Sequence, residues 1–197
     1  LSSHEDIIEF SKHSSKPVIN ALSDESHPCQ ILADLMTYQE QRGAIKGKKI
    51  AWIGDGCNVC QTYMQAVNIF DFSLSIATPE GYEPSQSYVD KYQNNIEYFN
   101  KPLDACIDAD IIVTDVWTSM GQESEQKERE LAFKGFQVDE EMMSKAKNDV
   151  IFMHCLPAYR GKEVSADVID GKQSVIWDEA ENRLHVQKAL LLYLIEN

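Results

Sequence analysis

Three strings place polar or reactive side chains directly after short apolar runs. They are Gly54-Asp55-Gly56-Cys57-Asn58, Asp115-Val116-Trp117-Thr118-Ser119-Met120-Gly121 and His154-Cys155-Leu156-Pro157. An acid followed four positions later by a hydroxyl, as in Asp115 and Ser119, suits an ammonium group; a turn in which the acid caps loop backbone is the plain alternative. Cys155 is read as a nucleophile, a proton acceptor or a small buried residue, and the nucleophile reading needs a His–Asn/Asp pair that spacing alone does not supply. Asn58 opens a predicted helix and offers a polar contact beside unpaired backbone N–H groups. A fourth string, His27-Pro28-Cys29-Gln30, also opens a helix, where free N–H groups and the positive dipole end suit an anion, or where a plain cap suffices. A fifth, Glu181-Asn182-Arg183, lies near the start of the last helix and carries one of the chain's four arginines, a residue type that is usually at the surface.

Two further patterns weigh less. The strand–Gly54-Asp55-Gly56–helix string invites a dinucleotide, but the third glycine of G-x-G-x-x-G is replaced by Val59. The acid expected about 20 residues on is missing too, where the next strand runs out at Ile76-Ala77-Thr78-Pro79. Cys57 and Cys60 form a C-x-x-C without a second pair or clustered histidines, so no zinc site is completed and no metal is expected.

The elements that must carry these strings alternate. Near-continuous apolar runs predict strands at 17–20, 49–53, 73–77, 111–114, 150–154 and 174–176, as in a parallel sheet buried on both faces. Helices are predicted at 28–41, 59–70, 85–95, 138–147 and 179–195, with Pro28 in a first turn and Asp178–Glu181 as a capping box. The fold class expected is α/β, a doubly wound, mostly parallel sheet with helices on both faces. Residues 1–26 read as one further αβ unit, a helix from Ser3 to His13 and a strand, without neighbours of its own. The charged stretch 122–134 reads either as a solvated helix face or as a lid over a site.

Composition bounds the partners. The chain has 197 residues, 43% of them apolar, and 18 Lys+Arg against 32 Asp+Glu, a formal charge of −14. That balance argues against disorder, against nucleic acid and against an anionic membrane surface. The longest apolar run, Ala189 to Ile195, is far short of a membrane span, and Leu1 to Phe10 has no signal-peptide character. Five cysteines, odd and scattered, fit a reducing cytoplasm. Without an initiator Met, the sequence is expected to be a piece of a longer protein.

Taken together, His27-Pro28-Cys29-Gln30, the 115–121 string, His154-Cys155-Leu156-Pro157 and Glu181-Asn182-Arg183-Leu184-His185 resemble the aspartate/ornithine carbamoyltransferase family, in its ornithine branch. They occur in the family's order across the whole chain, whereas the family's Ser-x-Arg-Thr-Arg phosphate motif does not occur. The resemblance implies transfer of a carbamoyl group from carbamoyl phosphate to L-ornithine, giving citrulline without metal or organic cofactor. A related amine such as putrescine and a non-catalytic amino-acid-binding module stand as alternatives. It further implies the end of a carbamoyl-phosphate domain at 1–26, an interdomain helix at 27–42, an ornithine domain at 43–177 and a returning helix at 178–197, with a homotrimeric full-length form. Carried over residue by residue, His27, Gln30, Cys155, Leu156 (through its carbonyl) and Arg183 would hold the carbamoyl side, with Arg183 as the cation that polarises its carbonyl oxygen. Asn58, Asp115, Ser119 and Met120 (through its N–H) would hold ornithine. Cys155, Asp115 and Arg183 would be catalytic, Cys155 handling the amine proton without forming a covalent adduct.

Overall fold

A computed structural model describes residues 3–118 and 123–196. Among these, β1 (Lys49–Ile53), β2 (Ser73–Ala77), β3 (Ile96–Phe99), β4 (Ile111–Thr114) and β5 (Ile151–His154) form one sheet in the order β3-β2-β1-β4-β5, every pair parallel. The order reverses between β1 and β4, which opens a crevice at the carboxyl ends of those two strands. The Gly54–Cys57 turn and Asp115 sit there.

Both faces of the sheet are covered, which is why its strands read as unbroken apolar runs. Ile50 and Trp52 of β1 point into one core, with Tyr63, Met64 and Val67 of α3 (Asn58–Phe70) and with Ile31, Leu35 and Tyr38 of α2 (Pro28–Arg42). Ala51 and Ile53 point into the other, with Phe133, Met142 and Ile169. Between these elements lie the short helices α4 (Gln86–Lys91), α5 (Pro102–Ala105), α6 (Gln126–Ala132), α7 (Glu140–Lys145) and α8 (Ala166–Ile169). The long last helix, α9 (Ile176–Glu196), packs along α2. No helix among the described residues is long and apolar enough to cross a membrane.

Several sequence expectations are corrected. The helix α1 (His4–His13) forms, and Ser3 caps it by accepting from the Asp6 N–H at 3.2 Å. Residues 17–20 form no strand, so the expected αβ unit is a helix with an irregular tail. The run 174–176 yields a single bridge, Ser174 to Phe152, because α9 starts at Ile176 and claims the chain. The Glu179 N–H bonds the Val175 carbonyl at 2.9 Å, so Asp178 lies within the first turn instead of capping it, and accepts from Gln41 Nε2 at 2.7 Å. The predicted helix 85–95 stops at Lys91 and is followed by β3, an edge strand. Its Ile96-Glu97-Tyr98-Phe99 is half exposed and lacks the apolar run of a central strand.

Gly56 shows why the glycine turn after β1 exists. A Cβ there would run into the Pro84 backbone nitrogen, and the Gly56 N–H bonds the Tyr82 carbonyl at 2.8 Å. The glycine admits the 82–84 segment against the turn; no phosphate cradle is needed to explain it.

Candidate functional site

The sheet edge brings together residues far apart in sequence. Asp115 leaves the end of β4 and is buried; Cys155 leaves the end of β5, and its thiol donates to Asp115 Oδ1 at 3.0 Å. The Val116 N–H donates to the same oxygen at 2.7 Å, and the Cys57 thiol approaches Oδ2 at 3.8 Å. Burial pushes the Asp115 carboxyl up, against the neighbouring His154 and the hydrogen bonds from Cys155 and the Val116 N–H. Burial also pushes the Cys155 thiol well above its ordinary range, and Asp115 pushes it further. Cys155 is thus a protonated donor rather than a thiolate, the opposite of an activated nucleophile.

Asp115, His154 and Cys155 place ligand atoms within 4.8 Å of one another, a set that could hold a metal ion. The histidine's ring, however, is already engaged. Its Nδ1 accepts from the Leu156 N–H at 2.9 Å, and its Nε2 faces buried Glu163 Oε1 at 3.3 Å. Leu156 sits at φ +56°, a left-handed turn that swings the chain away from the strand. His154 and Glu163 therefore read as the support of this turn, Glu163 also accepting from the Tyr159 N–H at 2.5 Å.

Asn58 is committed locally: Nδ2 donates to the Ser23 carbonyl at 2.6 Å, and Oδ1 accepts from the Val59 N–H at 2.9 Å. It pins the 20–26 segment to the start of α3. Ser119 and Met120 lie outside the described residues.

The seam between α2 and α9 brings the other set together. Gln30, 1% exposed, accepts from Arg183 Nη1 at 2.6 Å across 153 positions of sequence. His27 caps α2 with its backbone, its N–H held by Thr62 Oγ1 at 2.8 Å. Its Nδ1 and Arg183 Nε are both buried without a hydrogen-bond partner among the described residues. Orphaned polar atoms of this kind are costly; others, such as Trp117 Nε1 and Ser174 Oγ, lie elsewhere, but these two stand together beside Gln30 on one seam, a place suited to something polar. Burial and the neighbouring Arg183 charge lower the His27 pKa to about 4. His27 is accordingly neutral near pH 7.

Sequence reasoning passed over Asp34, Tyr63 and Glu179, which enclose Gln30, and Arg129. The signal was present: His27, Gln30, Asp34 and Thr37 follow helical spacing on the buried face of α2, where apolar residues would otherwise stand. Arg129 likewise belies a purely solvated helix at 122–134. It is 6% exposed, and its Nη1 donates to Asp55 Oδ2 at 2.5 Å and to the Trp117 carbonyl at 3.0 Å, over the Tyr82 ring. Through it, α6 is latched onto the turn that follows β1.

Comparison with known proteins gives concordant findings. The profile "Aspartate/ornithine carbamoyltransferase, Asp/Orn binding domain" matches residues 46–194, and the "carbamoyl-P binding domain" profile of the same family matches residues 1–40. An ornithine carbamoyltransferase of Ruthia magnifica subsp. Calyptogena magnifica is 62% identical over 195 residues, which are 99% of this chain and 65% of that protein. The crystal structure of ornithine carbamoyltransferase from Burkholderia thailandensis E264 superposes with a TM-score of 0.89 at 51% identity, over 96% of this chain and 62% of that one. The ornithine carbamoyltransferase of Pyrococcus furiosus gives a TM-score of 0.91 at 49% identity, over 96% and 63%. The chain therefore spans less than two thirds of the length of these relatives.

Proposed function

This chain belongs to the aspartate/ornithine carbamoyltransferase family, and from that premise we propose that the intact protein transfers the carbamoyl group of carbamoyl phosphate to the δ-amine of L-ornithine. The products are citrulline and phosphate. The observation that carries the reading is the pair of orphaned buried groups, His27 Nδ1 and Arg183 Nε, beside Gln30. A planar carbamoyl group, acceptor on one side and donor on the other, matches a guanidinium and a glutamine carbonyl.

In this reading Arg183 faces the carbamoyl oxygen, and neutral His27 lies beside the carbamoyl group with Nδ1 free to accept from its N–H. Gln30 Oε1, which has a second lone pair beyond its bond to Arg183, accepts from the carbamoyl N–H, as does the Leu156 carbonyl. Asp115 receives the ornithine α-ammonium, for which its thiol partners are weak competitors. Ser119 and the Met120 N–H complete the amino-acid clamp, with Asn58 contributing the one amide N–H that its bonds to Ser23 and Val59 leave over. Residues 1–26 belong to the carbamoyl-phosphate side, α2 links the two sides, and 43–177 form the ornithine side.

Chemistry then proceeds without a cofactor. The neutral amine attacks the carbamoyl carbon, the C–O bond to phosphate breaks, and the proton that the amine gives up ends on the departing phosphate. Cys155, hydrogen-bonded to Asp115, orients the amine; any proton it accepts requires its own to pass to Asp115. Positioning and the Arg183 charge supply most of the rate.

The test is citrulline formation by the intact protein with ornithine and with putrescine compared. Turnover of ornithine, and at least about a hundredfold preference over the diamine, is expected, because a diamine keeps an ammonium for Asp115 but leaves the carboxylate clamp unpaired. Preference for putrescine, or no carbamoyl transfer to either amine, overturns the reading.

A further inference from the structure

Resting on that reading, we propose that Asp34 and Glu179 are positioning residues for carbamoyl transfer, gripping the Gln30 amide from both sides so that its oxygen faces Arg183 and the carbamoyl group.

A glutamine amide has two nearly isosteric orientations, and only its partners choose between them. Here one N–H of Gln30 Nε2 donates to Asp34 Oδ1 at 2.8 Å and the other to Glu179 Oε1 at 2.9 Å. Its oxygen accepts from Arg183 at 2.6 Å. Turning the amide over would set N–H against the guanidinium and an oxygen between two acids that share a single proton, so two of the three contacts would become mismatches.

Each acid is itself anchored. Asp34 Oδ2 accepts from the Tyr63 hydroxyl of α3 at 2.6 Å. Glu179 Oε2 accepts from the His154 backbone N–H at 2.9 Å, at the end of β5 and one residue before Cys155. Glu179 therefore ties the carbamoyl-facing seam to the strand that carries the amine-facing thiol.

The charges are compatible with this burial. Desolvation raises Asp34 to about 6 and Glu179 well above its ordinary range, with the two acids facing each other. Near neutrality the pair retains about one proton, and its single negative charge is matched by Arg183. Neither acid needs to touch substrate.

The variant that tests this is Glu179→Gln in the intact protein, since its amide must turn a donor toward either Gln30 or the His154 N–H. With the orientation lost, kcat/KM for carbamoyl phosphate should fall by about 10- to 100-fold, while the ornithine KM stays within about threefold. Adding Gln30→Glu together with Asp34→Asn restores donor–acceptor matching, because a carboxylate at position 30 accepts from the amides introduced at positions 179 and 34 and from Arg183, while the amide oxygen at position 34 still accepts from Tyr63; the triple variant should recover about tenfold over Glu179→Gln alone. A purely structural role would lower the melting temperature without that recovery. Retention of kcat/KM within about threefold in Glu179→Gln, or no recovery in the triple variant, overturns the proposal. Should Glu179→Gln fail to fold, Tyr63→Phe, which releases Asp34, should raise the carbamoyl phosphate KM by about two- to fivefold, and an unchanged KM refutes the network. If the wild-type protein makes no citrulline, it is the functional reading that fails. A crystal structure of Glu179→Gln still decides the positioning role by whether Arg183 leaves Gln30 Oε1.

Discussion

The α2–α9 seam and the carboxyl edge of the sheet both bury acids, yet they satisfy them with different donors. In the seam, Asp34 and Glu179 receive a phenol, both N–H groups of an amide and a backbone N–H, all at 2.6–2.9 Å. At the sheet edge, Asp115 has one backbone N–H, one thiol at 3.0 Å and a second at 3.8 Å. Thiols are weak donors, so Asp115 keeps unused acceptor capacity in a site where burial makes that capacity strong. A saturated network holds shape, whereas an undersatisfied acid waits for a cation. The difference separates the part of the molecule that aims groups from the part that receives a ligand.

That contrast makes Asp115→Ala the substitution with the largest expected effect. Removing the undersatisfied acid should cost about 3–5 kcal/mol of transition-state stabilisation for ornithine, since a charged contact in a buried site is lost outright. Steady-state kinetics with the intact protein reads this directly, and near-wild-type kcat/KM would remove Asp115 from the receiving role.

The seam should announce itself through pH. The His27 pKa falls from 6.5 to about 4 on folding, so below pH 6.5 the unfolded chain takes up a proton that the folded chain refuses. Stability contributed by neutral His27 is therefore present above pH 6.5 and is lost as pH falls toward 4. After allowance for screening the loss is about 2 kcal/mol. Denaturant titrations of wild type and His27→Asn across that window should show the two stabilities converging as pH drops. Parallel curves would mean that the histidine is not held neutral by the fold.

Cys155→Ser should give the smallest effect of the three. A hydroxyl is a better donor than a thiol, so it strengthens the hold on Asp115 and lets the acid compete less well for the ammonium. An impairment of about 1–2 kcal/mol in kcat/KM is expected, well short of inactivation. A dead enzyme, or a carbamoyl–Cys155 adduct seen by mass spectrometry in the wild type, would show that the thiol does covalent work instead.

Much of the sheet could be read from the chain because burial on both faces leaves an unmistakable apolar run. β1, β2, β4 and β5 coincide with or fall one residue inside their predicted ranges, and the Asp115 and His154-Cys155 strings follow them. β3 escaped because an edge strand needs fewer apolar residues, and the run at 174–176 misled because α9 absorbs its last residue. The lid-or-surface question at 122–134 turned on Arg129, whose partners Asp55 and Trp117 no local pattern reveals.

The sequence by itself determined which residue types stand at strand ends and helix starts, since these depend on hydrophobic runs, turn residues and short-range spacing. Tertiary structure alone decided what those residues are. Gln30 meets Glu179 across 149 positions and Arg183 across 153, and Cys155 meets Asp115 across 40. A neutral histidine, a protonated thiol and an oriented amide are properties of desolvation and of distant partners, and neither exists until the helices and strands have packed.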